Sequence, residues 1–207
     1  MMSNTGTLIV YSGPSGVGKG TILAPYLKSH PSAVLSVSAT TRKPRPGETD
    51  GVEYSFITRE QFERMIADDG LLEYAKYSGN YYGTPRAAVE KQIAKGLDVV
   101  LEIEVQGAMQ IKRSFPDAVF IFVLPPSYEA LEYRLTGRGT EPAEVVQTRL
   151  KAAQEELCHA KDYDFILIND NADAAREKLA AIITAAKCQT KYMKNMIEKV
   201  SERYEHA

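Results

Sequence analysis

The sequence predicts an α/β fold in which helices flank a core made of one parallel β-sheet. Five apolar runs are predicted as buried strands because they are continuous rather than alternating; they cover residues 7–12, 33–37, 98–103, 118–124 and 165–168. Amphipathic helical patterns separate these runs, and a strand–helix repeat folds most simply as a parallel sheet with both faces covered. Ligands of such sheets bind beyond the carboxyl ends of the strands.

The helical patterns and two irregular segments complete the predicted order of elements. Helices are predicted over residues 19–28, 85–95, 106–114, 127–135 and 141–159, and the tail from 171 onward is helical with a break near Lys187. Residues 40–82 lack a long buried strand and are rich in Tyr, Arg, Gly and Pro, so they predict an inserted subdomain with a helix near 59–69 and short strands at 52–57 and 71–77. Residues 135–150 combine Gly137 and Gly139 with arginines, which predicts a mobile lid.

These segments predict one domain over residues 1–207. Its core is expected at 1–37, 85–134 and 151–207, its insert at about 38–84 and its lid at about 135–150.

The composition is that of an ordinary soluble globular protein, with 44% hydrophobic and 25% charged residues. The formal net charge is −2, which argues against a nucleic acid or a membrane surface as the main partner. Cys158 and Cys188 lie far apart and predict reduced side chains in a cytoplasmic protein. The first residues predict no signal peptide, and no apolar run is long enough to span a membrane. The oligomeric state stays open.

A glycine-rich loop between the first strand and the first helix predicts a phosphate-binding loop. Glycines allow the tight turn, and backbone N–H groups with the helix dipole then point at one anion. Lys19 places a positive charge on the β- and γ-phosphates of a nucleotide. The alternative is a glycine-rich turn with a solvated lysine. The loop comprises Gly13, Pro14, Ser15, Gly16, Val17, Gly18, Lys19, Gly20 and Thr21.

A second anion site is predicted in residues 38–48. Arg42 and Arg45 lie three apart in a proline-stiffened turn, where two guanidinium groups can clamp one phosphate. The hydroxyl groups of Tyr54 and Tyr82 are candidates to complete this clamp. The alternative is a solvated basic loop. This alternative is weakened by the phosphate-binding loop, because a P-loop kinase needs a second phosphate site for its acceptor.

Two acidic segments complete the candidate chemistry. A carboxylate at Glu73 would pair with the adjacent N1–H and N2–H₂ donors of guanine and reject adenine, with the hydroxyls of Ser38 and Thr84 serving the O6 side. Taken alone, a glutamate such as Glu73 is more often a surface residue, and only its combination with the other motifs favours the guanine-binding role. Glu102 and Glu104 end a buried strand and face the loop, where they are candidates for the metal shell or the acceptor base. Their alternative role is to cap the helix that begins near Gln106.

From Leu8 to about Ala175, the chain resembles the guanylate kinases, with five motifs in the family's order. The motifs are Gly-Pro-Ser-Gly-x-Gly-Lys, Thr-Thr-Arg-x-Pro-Arg-x-Gly-Glu, Ser-Gly-Asn-Tyr-Tyr-Gly, Pro-Pro-Ser and Gly-Arg-Gly-Thr-Glu. The resemblance implies transfer of the γ-phosphoryl group of ATP to GMP, with Mg²⁺ accompanying ATP. It implies ATP binding by the loop, Arg134 and Asn169. It implies GMP binding by Ser38, Arg42, Arg45, Tyr54, Glu73, Tyr82, Thr84 and Glu104. It implies catalytic roles for Lys19, Arg45, Arg138 and Arg149, of which the last two belong to the lid.

Two departures from the family pattern bear on the metal. Gly20 stands where the family usually has Ser or Thr, and the resulting Gly-Lys-Gly-Thr sequence resembles that of adenylate kinases. Glu102-Ile103-Glu104 replaces the family's Asp-Ile-Asp. Thr21 and Glu102 are therefore the metal-ligand candidates, directly or through water. Two alternative functions remain open at the level of sequence: a nucleoside monophosphate kinase with another acceptor, and a guanylate-kinase-like binding module without catalysis.

Overall fold

The structure, a computed structural model, describes residues 6–137 and 143–202. Its core is a parallel sheet of five strands in the order β2-β7-β1-β8-β9, which confirms the predicted fold class. The core strands are β1 (Leu8–Ser12), β2 (Ala33–Leu35), β7 (Asp98–Glu102), β8 (Val119–Leu124) and β9 (Phe165–Ile168). The remaining strands form a second sheet and are β3 (Ala39–Thr40), β4 (Ser55–Phe56), β5 (Leu71–Tyr77) and β6 (Asn80–Pro85).

Eight α-helices accompany the two sheets in the described residues. They are α1 (Lys19–Ser29), α2 (Arg59–Ala67), α3 (Arg86–Ala94), α4 (Val105–Ser114), α5 (Tyr128–Thr136), α6 (Ala143–Leu157), α7 (Ala172–Lys187) and α8 (Thr190–Glu202). No helix in these ranges is long and apolar enough to cross a bilayer.

The strands of the core are continuously apolar because both faces of the sheet are buried. Ile9 and Tyr11 of β1 belong to the cluster on one face, which includes residues of α1 and α7. Val10 belongs to the cluster on the other face, together with residues of α3 and α4 such as Val89 and Ile111. Alternation along β1 therefore supplies two hydrophobic layers, and burial of each such side chain contributes roughly 1.5–3 kcal/mol.

The second sheet lies where the insert is predicted, and it has its own small core. Phe62 of α2 is fully buried and packs with Ala39 and Leu71 of the sheet. Helix α2 begins at a capping box in which Thr58 and Gln61 bond each other's backbone N–H groups. The sheet has the order β4-β3-β6-β5, with β6 antiparallel to both of its neighbours.

The predicted boundaries differ from the structure by one or two residues at most elements, and three differences concern β2, β4 and the predicted lid. Strand β2 ends at Leu35 rather than at 37, and the predicted strand at 52–57 is reduced to Ser55–Phe56. The predicted lid is divided: residues 138–142 lie outside the described residues, whereas 143–150 form the first half of α6. In that half, Val146 and Leu150 pack on α5, so an apolar contact fixes the helix there.

Candidate active site

The glycine loop follows β1 at the carboxyl end of the sheet and leads into α1. Gly16 and Gly18 have φ values of +82° and +86°, a conformation that side chains disfavour. Gly18 is the N-cap of α1 and forms no side-chain cap, so the first N–H groups of this 11-residue helix point toward the loop's interior. The Lys19 ammonium donates to the carbonyls of Gly13 at 2.6 Å and Pro14 at 3.3 Å.

Three carboxylates surround Lys19. Burial lowers the pKa of its ammonium, whereas Glu102, Glu156 and Glu104 act in the opposite direction. Burial likewise raises the pKa of Glu102, and Lys19 opposes this shift. Glu102 is solvent-exposed and lines both cavities of the cleft. The three carboxylates therefore offset part of the effect of burial on the ammonium.

Glu156, on α6, is a site residue that sequence reasoning missed. Its carboxylate receives a hydrogen bond from the backbone N–H of Ser15, and its Oε2 atom is buried without a hydrogen-bond partner among the described residues. Burial raises its pKa, with Lys19 opposing. A glutamate in an amphipathic helical pattern is indistinguishable in sequence from one on a solvated face, so no local signal marks it.

Arginine and asparagine side chains tie the loop to the rest of the donor side. Arg134 of α5 donates to the carbonyls of Val17 at 3.2 Å and Asn169 at 2.9 Å. The Asn169 side chain donates to the carbonyl of Val17 at 2.7 Å. Arg149 of α6 donates to the Ser15 hydroxyl at 2.9 Å. These three predicted residues therefore converge on the loop, whereas Arg138 lies outside the described residues.

On the other side of the cleft, Glu73 stands in a small pocket with a carboxylate fixed from two directions. Only 7% of Glu73 is exposed, and the Thr84 hydroxyl donates to its Oε1 atom at 2.7 Å. A Cβ atom on Gly107 would lie 2.6 Å from its Oε2 atom, so the glycine leaves the space that the carboxylate fills. Burial raises the Glu73 pKa, Thr84 opposes this, and Glu104 adds to it. Because Glu73 is buried, the alternative that it is an ordinary solvent-exposed glutamate is excluded.

Helix α4 also holds the strand that carries Glu73. The side-chain amide of Gln110 donates to the Tyr74 carbonyl at 2.9 Å and accepts from the Tyr74 N–H at 3.2 Å. This amide pairs with β5 as a neighbouring strand would, directly after Glu73. Sequence reasoning missed Gln110 because its partner is 36 residues away.

Of the two arginines of the predicted clamp, Arg42 lies in a cluster of charged and aromatic groups. Arg42 forms two hydrogen bonds of 2.9 Å with Glu48. Its guanidinium lies 5.4 Å from the centre of the Tyr54 ring, and the Tyr82 hydroxyl contacts it and favours its charged form. The Arg45 backbone N–H also donates to Glu48, and its side chain is exposed. Glu48 is the member that sequence reasoning did not single out.

Two cavities meet at this cleft. One, of about 280 Å³, is lined by Glu73, Tyr82 and Gly107 and is here named the acceptor pocket. The other, of about 420 Å³, is lined by Gly13, Ser15, Lys19 and Glu156 and is here named the donor pocket. Both pockets share the wall residues Ser38, Tyr54, Glu102, Ile103 and Glu104. A group held in one pocket therefore borders directly on a group held in the other.

Of the two metal candidates, Glu102 lies at this shared wall, whereas Thr21 lies with Lys19 in the first turn of α1. Glu102 ends β7, and Glu104 occupies the N-cap position of α4 but forms no side-chain cap, so helix capping does not account for it. The Thr21 hydroxyl donates to the Gly18 carbonyl at 2.6 Å, which leaves its oxygen only as an acceptor or ligand. Mg²⁺ takes one or two carboxylates with phosphate and water oxygens, and these residues fit that donor set. Within the described ranges, no three His, Cys, Asp or Glu residues are arranged so that they alone could hold a metal ion.

The parallel sheet, the glycine loop ahead of α1 and the second pocket define a P-loop kinase of a small acceptor. The family model for guanylate kinase matches residues 5–186. The chain is 53% identical to the guanylate kinase of Desulfitobacterium hafniense (strain Y51), over 92% of this chain and 96% of the other. It is 48% identical to that of Clostridium perfringens (strain SM101 / Type A), over 98% and 95%.

A solved structure agrees with this assignment. The crystal structure of guanylate kinase from Anaplasma phagocytophilum matches with a TM-score of 0.72 and 33% identity, over 92% of this chain and 90% of the other. The chain belongs to the guanylate kinase family. It is an ATP:GMP phosphotransferase, as the resemblance of its motifs predicts.

Proposed function

We propose that GMP occupies the acceptor pocket and ATP the donor pocket, with the phosphoryl group crossing at their shared wall. The single observation that carries this assignment is that a buried carboxylate and a lysine-bearing phosphate loop line two cavities with five residues in common. The P-loop fold supplies the donor half of this arrangement. Glu73 gives the acceptor half its selectivity.

Guanine is selected by the fixed carboxylate of Glu73. Its two oxygens match the N1–H and N2–H₂ donors of guanine, whereas adenine presents an acceptor at N1 and would leave the buried charge unpaired. The Thr84 hydroxyl proton is directed at Glu73 in the structure, so Thr84 orients the carboxylate and Ser38 is the hydroxyl that remains for O6. The GMP phosphate then lies toward Arg42, Arg45 and the two tyrosines.

The reaction is an in-line displacement at the γ-phosphorus of ATP. An oxygen of the GMP phosphate forms the new P–O bond, and the bond to the β-phosphate oxygen of ADP breaks. The protein contributes position and charge neutralisation. Lys19 neutralises charge on the moving group, Arg45 bridges the two phosphates, and Arg138 and Arg149 close from the lid. No strong general base is needed because the acceptor is already anionic.

Magnesium is proposed to accompany ATP, held by Glu102 and Thr21 directly or through water. When bound, it would neutralise charge on the β- and γ-phosphates. Residues 38–84 are proposed as the insert that binds GMP and residues 135–150 as the lid, both closing on substrate to exclude water that would hydrolyse ATP. We propose a cytoplasmic location, which suits an ATP-dependent enzyme with two exposed free cysteines.

A coupled assay of ADP formation tests the assignment of the two pockets. Wild-type protein and Glu73→Gln are assayed with GMP, AMP, CMP and UMP as acceptors. The wild type should prefer GMP by at least about 100-fold, and Glu73→Gln should lose most of that preference through KM for GMP while KM for ATP stays within about twofold. A Glu73→Gln variant that keeps the preference for GMP would refute the role of the acceptor pocket.

A further inference from the structure

Glu48 reaches Arg42 because the chain between them folds back in one tight turn. The Glu48 N–H donates to the Arg45 carbonyl at 3.0 Å, with Pro46 and Gly47 between them and Gly47 at φ +90°. Proline followed by a residue with positive φ is the pattern of a type II turn. The turn carries the Glu48 carboxylate against two donors, the Arg42 guanidinium and the Arg45 backbone N–H at 2.7 Å.

The hydrogen bonds of Arg42 use one edge of its guanidinium and leave the other. Both hydrogens of Nη1 are used, one by Glu48 at 2.9 Å and one by the Lys43 carbonyl at 2.8 Å. One hydrogen of Nη2 goes to the second Glu48 oxygen, also at 2.9 Å. A guanidinium has five N–H donors. The remaining two, on Nε and Nη2, are adjacent. No carbonyl or carboxylate of the described residues takes them, and the Tyr82 hydroxyl is the further hydrogen-bond partner of the guanidinium, which a phosphate oxygen would share or displace.

The surroundings of Arg42 hold this second edge in one place. The rings of Tyr54 and Phe56 lie 5.4 and 5.7 Å from the guanidinium carbon, and the Tyr82 hydroxyl touches the group. The side chains of Arg42 and Glu48 are only 15% and 18% exposed, and solvent still screens the attraction between their charges. The ion pair therefore acts mainly by orienting Arg42. The hydrogen bonds that Glu48 accepts from Arg42 and from the Arg45 backbone lower its pKa to about 2. Glu48 is therefore ionised at every working pH.

We propose that Glu48 is a positioning residue that presents the Nε/Nη2 edge of Arg42 to two oxygens of the acceptor's phosphate. This edge is a planar fork that matches a phosphate in the same bidentate way as the opposite edge matches the Glu48 carboxylate. Because three donors of Arg42 are already taken, the fork is set before substrate arrives, and less rotamer entropy is lost on binding. This proposal rests on the proposed function, since it assumes that the phosphate beside Arg42 is that of GMP.

The consequence is selectivity for the phosphate of the acceptor rather than for its base. Glu48 also cancels one of the two arginine charges next to the acceptor pocket. An untethered Arg42 would bind any anion in any orientation. A tethered Arg42 favours a tetrahedral group with two oxygens facing the fork.

The test compares Glu48→Gln with a matched control, Glu63→Gln. Glu63 forms an ion pair of 2.9 Å with Arg59 on α2, the helix that packs on the second sheet. This pair is half exposed, and neither residue lines either pocket. Glutamine keeps the size of Glu48 but accepts only one of the two N–H groups that Arg42 donates to Glu48. The Arg42 side chain therefore gains conformational freedom. KM for GMP should rise about tenfold in Glu48→Gln, the loss expected for one charge-assisted hydrogen bond. KM for ATP should stay within about twofold, and Glu63→Gln should match the wild type.

Guanosine, which lacks the phosphate, serves as the second readout. Its inhibition constant should be the same in Glu48→Gln and in the wild type, because only the phosphate meets Arg42. A parallel rise for guanosine and GMP would show general damage to the pocket and overturn the proposal. An unchanged or lower KM for GMP would overturn it as well. Failure of the wild type to phosphorylate GMP would instead refute the proposed function, so the two failures are distinguishable.

A double-mutant cycle with Arg42→Lys isolates the mechanism. Lysine is a point charge without a fork, so Glu48 has nothing to orient. Glu48→Gln should therefore change KM for GMP by less than about twofold in the Arg42→Lys background. A full tenfold effect in that background would mean that Glu48 acts by another route and would overturn the proposal.

Discussion

Replacing Gly107 by alanine should displace the Glu73 carboxylate without unfolding the protein. The new Cβ would lie 2.6 Å from Oε2 and 3.1 Å from the carboxyl carbon of Glu73. Ordinary contact begins at 3.4 Å, so the carboxylate must withdraw by about 0.8 Å. A shift of that size directed away from Thr84 would lengthen the 2.7 Å bond to at most about 3.5 Å, the limit for a hydrogen bond.

The size of the effect on catalysis follows from this displacement. A misplacement of about 1 Å in a positioning contact can reduce activity about 100-fold. We expect KM for GMP in Gly107→Ala to rise about 10- to 100-fold and KM for ATP to stay within about twofold. Alanine is the better helix former by about 0.5–1 kcal/mol, and Gly107 lies within α4, so the unfolding free energy should not fall by more than about 1 kcal/mol.

The assay is steady-state kinetics with each substrate varied in turn, together with thermal unfolding. Gly107→Ala is also measured in a Glu73→Gln background. If the added methyl group acts through the carboxylate, it should change KM for GMP much less there than in the wild type. Equal effects in both backgrounds, or equal losses for ATP and GMP, would refute the reasoning.

Three further predictions concern single side chains. Lys19→Met should lower kcat by about 10²–10³-fold with an unchanged unfolding temperature, and near-normal turnover would refute the role of Lys19. Burial raises the Glu73 pKa, so guanosine affinity should fall as the pH is lowered through that raised pKa, and Glu73→Gln should show no such dependence in binding titrations. Because the Glu73 pKa is higher in the folded protein than in the unfolded chain, ionisation of Glu73 lowers the free energy of unfolding as the pH rises above the ordinary pKa of a glutamate. Glu73→Gln should therefore unfold at a higher temperature than the wild type at pH 8. Gly20→Ser finds open space around its new side chain and should lower the Mg²⁺ concentration for half-maximal activity; no change would indicate that Thr21 or water already fills the place.

Features encoded locally in the chain were predictable, and features made by distant contacts were not. The glycine loop and the buried strands follow from composition, periodicity and motif. The hydrogen bond from Thr84 to Glu73 was not predicted, because the sequence assigns the Thr84 hydroxyl to the O6 side of guanine. The contact between Gly107 and Glu73 joins residues 34 positions apart and depends on how α4 packs on β5. Glu156 and Gln110 are ordinary polar residues of amphipathic helices until the fold turns them toward the cleft.

If Mg²⁺ accompanies ATP as proposed, the carboxylates around Lys19 would favour metal-bound over metal-free ATP. Glu102, Glu104 and Glu156 all face the donor pocket, and a polyphosphate entering it alone would meet like charges as well as the single ammonium. A divalent cation carried by the nucleotide reverses this balance, because it is attracted by the same carboxylates that repel the phosphates. Under this proposal, the family's hydroxyl at the position of Gly20 is dispensable, because the acidic surroundings of the donor pocket would attract the cation without that ligand.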